Sequence, residues 1–185
     1  MRLTPRLRLE PISPRHAHEL WLLHQDDHIA TWYGGTWSRQ TAADAARTWG
    51  QGWSEDRAGK WLAYQQDTGE LVGRGGLSYT DVAGARRLEI GWAIRRPFQG
   101  QGYATEIGRA GLALAFDHLD APDVIAFTER HNQRSQAVMR RLGMHYTGQI
   151  LRPGLVEGHH QIQPEAPFVL YTVQRPDPPN GHAAT

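Results

Sequence analysis

Three groups of residues in this sequence have types and spacings suited to chemistry. The first is Gln99-Gly100-Gln101-Gly102-Tyr103-Ala104, set between an alternating apolar stretch and a helical pattern. Glycines there let a ligand approach the backbone. The first turn of a following helix leaves N–H groups without intrahelical partners at the positive end of the helix dipole, which suits a pyrophosphate or similar anion. The second is Glu89, a carboxylate inside a mostly apolar stretch, where a charge is costly unless paired or used. The third is Asn132 with Ser135, an amide and a hydroxyl one turn apart at the start of a short helical pattern. Two familiar phosphate loops do not fit. A P-loop needs Lys-Ser or Lys-Thr after its second glycine, where this chain has Tyr103-Ala104, and a dinucleotide fingerprint needs a third glycine where Thr105 stands. The bland alternative for residues 99–104 is a plain glycine turn.

Such groups need a strand, a turn and a helix in that order, and the pattern supplies them. Leu88, Ile90, Trp92 and Ile94 are apolar at every second position, predicting a central strand over 86–94. Pro97 ends it, because proline cannot donate to a ladder. Tyr103, Ile107, Ala110 and Leu114 share a face, predicting a helix to about His118. Val124–Thr128 reads as a buried strand, completing a β-α-β unit. Upstream, a strand is predicted over 6–12 and a helix over 14–25, opened by Ser13 and Pro14. A second helix over 40–57 opens on Thr41 and Asp44 in the manner of a capping box. Strands over 60–66 and 71–79 form a hairpin turning at 67–70. Gly73, Gly75 and Gly76 in its second strand read as close backbone packing before they read as another phosphate loop. Downstream come a helix over 133–142 closed by Gly143, a strand over 144–151, a loop at 152–164 and a last strand over 168–173. Residues 26–38 carry Trp32, Tyr33 and Trp37 without any period. They are either an aromatic wall for an acceptor molecule or plugs for the core beneath.

Composition removes several function classes. A chain of 185 residues fits one domain. With no cysteine there is no disulfide, no thiolate metal site and no acyl-cysteine intermediate. A net charge of +1 without basic blocks argues against a nucleic-acid partner. No apolar run is long enough to span a membrane, and Arg-Leu alternation near the N-terminus lacks the apolar centre of a signal peptide. The expectation is a cytoplasmic protein with no membrane partner, monomer or homodimer. Lys60 is the only lysine beside many arginines, which reads as coding bias. His145, His159 and His160 lack a metal set's spacing, since adjacent histidines face apart in an extended chain, so no metal is expected.

Gln99-x-x-Gly102-x-Ala104 directly after a strand resembles the acyl-CoA pyrophosphate loop of the GCN5-related N-acetyltransferase (GNAT) superfamily. Asn132-x-x-Ser135, followed by Leu142-Gly143-Met144, resembles that family's second signature at the right separation. The element order matches the family over roughly residues 6–173, with most resemblance to the RimJ/RimL-like branch. The resemblance implies an α/β (α+β) fold: a single GNAT domain over residues 1–174, a mixed central sheet of about seven strands flanked by about four helices, then a disordered tail over 175–185. It also implies transfer of an acetyl group from acetyl-CoA to a primary amine, on a small molecule or a protein N-terminus, by direct attack in a ternary complex.

Within that reading Gln99, Gly100, Gln101, Gly102, Tyr103 and Ala104 receive the pyrophosphate. A backbone N–H near Trp92, Ala93 or Ile94, freed by a bulge, polarises the acyl carbonyl. Glu89 is the candidate general base, the bland alternatives being a salt bridge to a nearby arginine or a water-bridged role. Ser135 is the candidate proton source for the departing thiolate, because Met139 stands where many relatives have a tyrosine and a thioether cannot donate. Asn132 either bonds pantetheine or caps its helix. Trp32, Tyr33 and Trp37 would wall the acceptor. A catalytically silent acyl-CoA-binding module and an α/β domain without a CoA site are the competing classes.

Overall fold

The computed structural model describes residues 1–159 and 161–176. An eight-stranded sheet runs in the order β1-β2-β3-β4-β5-β6-β8-β7, where β1 is Arg2–Leu3, β2 Leu7–Pro11, β3 Lys60–Gln65, β4 Leu71–Val82, β5 Ala85–Ile94, β6 Asp123–Glu129, β7 His145–Gly154 and β8 Gln163–Gln174. The α-helices among the described residues are α1 Ala17–Leu23, α2 Asp27–Trp32, α3 Arg39–Glu55, α4 Tyr103–His118 and α5 Gln133–Arg141. This is the mixed α/β domain expected. The additions are the two-residue β1 and the helix α2, both too short to show a period.

All contacts are antiparallel except β5 with β6, which are parallel and joined at a single pair, Glu89 with Ile125. Beyond that pair the two strands part and the sheet opens. Cross-strand partners project to one face. Leu88 and Ile90 of β5, with Leu77 of β4, turn to the face covered by α4 and α5, where Ala115, Phe116, Met139 and Leu142 bury them. Leu62 and Ala93 turn to the opposite face, covered by Leu20 and Leu23 of α1, Ile29 of α2 and Ala42 and Ala46 of α3. Gly75 is packing and not a phosphate loop, since a Cβ there would lie 2.7 Å from Ile107 of α4.

Several boundaries move for local reasons. The stretch 26–38 is not all loop: Asp26 accepts the N–H groups of His28 and Ile29 and so starts α2. The cap of α3 is Ser38, whose hydroxyl accepts the Thr41 N–H, and not Thr41 itself. The predicted loop 152–164 is shorter, because β7 continues to Gly154 and β8 begins at Gln163. Arg175 is tied back, its N–H donating to Pro122 O at 2.9 Å and its guanidinium meeting Asp120 at 3.0 Å. Residues 177–185 of the expected tail, and His160, lie outside the described residues. Among the described residues no helix is long and apolar enough to cross a membrane, and no group of His, Cys, Asp or Glu is placed to hold a metal ion.

Candidate active site

The parting of β5 and β6 makes a cleft of about 1720 Å³, floored by both strands and closed at its ends by α2, the 99–104 loop and α5. Backbone direction follows from one bond. The Arg95 N–H donates to Val72 O at 3.0 Å, toward β4. Strand groups alternate, so the N–H groups of Ala93 and Gly91 also face β4, while those of Trp92 and Ile94 face the gap. Ile94 O does point that way, accepting from Gln99 Nε2 at 3.0 Å. The expected bulge is absent: the ladder from Gly73–Ile94 to Val82–Ala85 has no register shift. The free N–H groups come instead from the loss of β6 as a neighbour. Ala93 is committed to the ladder opposite Arg74.

At one end of the cleft the 99–104 loop delivers the chain into α4. Gly100 (φ 75°) and Gly102 (φ 85°) take the left-handed conformation, which side chains resist. Gly102 is the N-cap and supplies no capping side chain. Asp26, Ser38 and Asn132 each cap their own helices with a side-chain oxygen. The N-terminal N–H groups of the 16-residue α4 are thus left for an anion. Gln99 braces the loop, accepting from Arg134 Nη1 at 2.8 Å and so linking it to α5. Gln101 turns back to Pro97 O at 2.9 Å. The Tyr103 side chain does not join the loop; it is buried beneath it and accepts from Gln65 Nε2 at 2.7 Å.

Across the cleft Asn132 Oδ1 accepts the Ser135 N–H at 3.1 Å, so of its two readings the helix cap is the one built. Ser135 lies on the wall with its hydroxyl bonded to no protein atom among the described residues. Met139 is buried in the core, and its thioether adds no donor beside Ser135. Trp32 and Tyr33 line the cleft, Trp32 resting on His131 with ring centroids 5.3 Å apart. Trp37 does not; it stacks on His24 at 3.4 Å and belongs to the core under the loop. The aromatic segment therefore divides between both readings.

Of the four carboxylates lining the cleft, Glu55 and Asp56 sit at the end of α3, and Glu89 and Glu129 stand on the strands that floor it. Glu89 is held by the single lysine: Lys60 Nζ donates to it at 2.8 Å and Ser78 Oγ at 3.0 Å. The salt bridge is thus to a lysine and not an arginine, and Lys60, read from composition alone as bias, is a buried structural cation. Burial pushes its ammonium pKa down, against the opposing pull of Glu89. Glu129, at the end of β6, had no role in the sequence reading. It is buried with no cation within salt-bridge distance among the described residues; burial raises its carboxyl pKa, against hydrogen bonds from backbone N–H groups and from Thr128 Oγ1 at 3.3 Å. Counting four residues along each strand from the Glu89–Ile125 pair gives Glu129 the rank of Ala93, across the gap from the free N–H groups of Trp92 and Ile94 in the same cleft. Glu89 lies about 13 Å further down the strand at the usual rise per residue.

Beneath α2 and α3 sit two more groups the sequence reading missed. Arg74 donates through Nε to His24 Nε2 at 3.2 Å and through Nη2 to the Tyr33 hydroxyl. His24 is fully buried, and burial first, then the Arg74 charge, lowers its pKa from 6.5 to about 2. Between those values the unfolded chain binds a proton that the fold refuses, so stability falls as pH drops below 6.5. This one group is expected to cost about 2 kcal/mol between pH 6.5 and pH 5. Urea unfolding across that range reads it, and His24→Phe should lose this part of the slope. A charge inside a mostly apolar strand marks Arg74, between Gly73 and Gly75, as it marks Glu89.

The site fits acyl-CoA on its own geometry: an uncapped helix start flanked by left-handed glycines, and strand N–H groups aimed into an open parting. Comparison with known proteins places the chain in a family. A model of the acetyltransferase (GNAT) domain matches residues 6–145. The Bacillus subtilis protein YkkB, itself uncharacterized, is 30% identical over 148 residues, covering 78% of this chain and 85% of that one. A GNAT-family acetyltransferase from Bordetella pertussis superposes with a TM-score of 0.77 at 22% identity, covering 92% of this chain and 97% of that one. RimL, a ribosomal L7/L12 α-N-protein acetyltransferase solved in complex with coenzyme A, superposes with a TM-score of 0.72 at 18% identity, covering 94% and 96%.

Proposed function

The chain belongs to the GNAT acetyltransferase family and is an acyltransferase; from that premise we propose that it moves an acetyl group from acetyl-CoA to a primary amine by direct attack in a ternary complex. The observation that carries this reading is the pairing of an uncapped α4 N-terminus with free Trp92 and Ile94 N–H groups along one cleft. Acetyl-CoA supplies an activated thioester. The N–H groups of Gly100 to Ala104 hold its pyrophosphate, with Arg134 close by on α5. The Trp92 and Ile94 N–H groups stabilise negative charge on the acyl oxygen. Ser135 passes a proton to the departing sulfur and is reprotonated by the proton that the amine nitrogen sheds as the amide forms. The absence of cysteine leaves no thiol to carry the acyl group, which favours direct attack over an acyl-cysteine intermediate.

The incoming ammonium must lose a proton. Glu89 was the sequence-based candidate, but its carboxylate is occupied by Lys60 and Ser78. We assign the base to Glu129, which stands across the gap from the acyl site and has a raised proton affinity. Glu129→Gln is expected to lower kcat by about 10²- to 10⁴-fold while acetyl-CoA affinity holds. Ser135→Ala should lower kcat with little change in KM. An unchanged rate in either variant removes that residue from the mechanism. A near-normal kcat for Glu129→Gln beside a collapsed one for a folded Glu89→Gln would return the role to Glu89. Acetyl-CoA titration followed by an amine panel tests the function itself.

A further inference from the structure

Arg74 is a buried cation with no anion. It is 4% exposed, and its hydrogen-bond partners are a neutral imidazole and a phenol. Its guanidinium lies 4.6 Å from the Trp49 ring centroid and 5.3 Å from that of Tyr33. No carboxylate among the described residues lies within salt-bridge distance, whereas the equally buried Lys60 has Glu89. An enclosed charge without a counter-charge is costly unless something else supplies one. Aromatic faces offset part of this, but Nη1 donates to no described residue, and Arg74 is among the residues that line the cleft.

Its place in the sheet says what would reach it. Arg74 pairs with Ala93 in the ladder, between the two strand residues whose N–H groups face the gap. Its side chain shares the face of Leu62 and Ala93, under α1 to α3, and not the α4 face where the pyrophosphate would sit. The anion it awaits is therefore not the nucleotide. Glu129 has the rank of Ala93 on the far side of the gap. A cation and a base thus flank the acyl position, and the guanidinium fork matches a carboxylate in a way an ammonium would not.

We propose that Arg74 reads a carboxylate on the acceptor, so that the substrate is a small aminocarboxylate whose amine lies a few bonds from its acid group. This rests on the acetyltransferase reading above and narrows it: a polyamine or the N-terminus of a folded protein carries no such group beside the reacting amine.

The test uses wild type, the protein amino acids with 4-aminobutanoate, the carboxamide of each, and a tripeptide amide with a free N-terminus. Acetyl-CoA-dependent thiol release is measured for all, and binding of the best acid and its amide to the CoA-loaded protein is measured by calorimetry. At least one acid should be acetylated about 100-fold more efficiently than its amide, the cost of leaving a buried charge unpaired. Arg74→Gln should erase that ratio while acetyl-CoA affinity stays, and Arg74→Lys should restore only part of it. Amides or the peptide acetylated as well as the acids would overturn the proposal and leave the acetyltransferase reading standing. So would acetyl-CoA binding with no acid acetylated. Failure to bind acetyl-CoA at all would instead overturn the reading beneath it. The wild-type ratio decides even if the variants fold poorly.

Discussion

Replacing Gly102 by glutamate should reduce acetyl-CoA affinity by about 100-fold or more, read by calorimetric titration. The N-cap of α4 is the point where the loop's N–H groups and the helix dipole converge. A carboxylate there would accept those N–H groups itself and repel a pyrophosphate. The fold should survive. An added Cβ meets only Arg6 Nη2, at 3.5 Å, and Arg6 is already anchored to Glu106 and to Gln101 O. The left-handed backbone at φ 85° should cost about 1 to 2 kcal/mol, well short of unfolding a domain of this size. Unchanged affinity in a folded variant would place the nucleotide away from this loop.

Lys60→Met should destabilise the protein by about 3 to 5 kcal/mol in urea unfolding at pH 7. Lys60 and Glu89 are both largely enclosed, and Nζ also donates to Gly76 O at 3.0 Å. Removing the ammonium leaves the carboxylate with Ser78 alone as a side-chain donor, in a space so tight that a Cβ on Gly91 would lie 2.6 Å from Glu89 Oε1. Glu89→Gln should also destabilise, because it leaves the ammonium enclosed without its counter-charge. Replacing both by apolar residues should recover much of the loss, since neither charge then stays buried alone. A loss under about 1 kcal/mol for Lys60→Met would mean the pair behaves as an exposed one. These stability effects also separate the two roles open to Glu89, because a purely catalytic carboxylate would change kcat and leave unfolding unmoved.

The parts of the site that were legible in sequence are those carried by backbone conformation. Gly100 and Gly102 mark positive φ, Pro97 ends a ladder, and alternation in 88–94 fixes a central strand. These are local rules, and the loop, β5 and α4 followed from them. The side chains that sheet register brings together were not legible. Nothing near Lys60 in the chain predicts Glu89, which it meets only because β3, β4 and β5 align Lys60, Gly76 and Gly91. Glu129 was missed for the same reason, whereas Arg74 carried the same signal as Glu89, a charge inside a mostly apolar strand. The bulge was a wrong inference from a right need: free N–H groups exist, but a departing neighbour strand provides them. Aromatic residues without a period gave no direction, so Trp37, which stacks on His24, could not be separated from Trp32 and Tyr33, which face the cleft.

The most direct test of the account is amine-dependent release of coenzyme A from acetyl-CoA by the wild-type protein, with the acetylated amine identified by mass. The account predicts release that needs an amine, yields one N-acetyl product per thiol freed, and falls away in Gly102→Glu. Acetyl-CoA bound at this loop and never turned over by any amine would contradict it and leave a chain that holds acyl-CoA without using it.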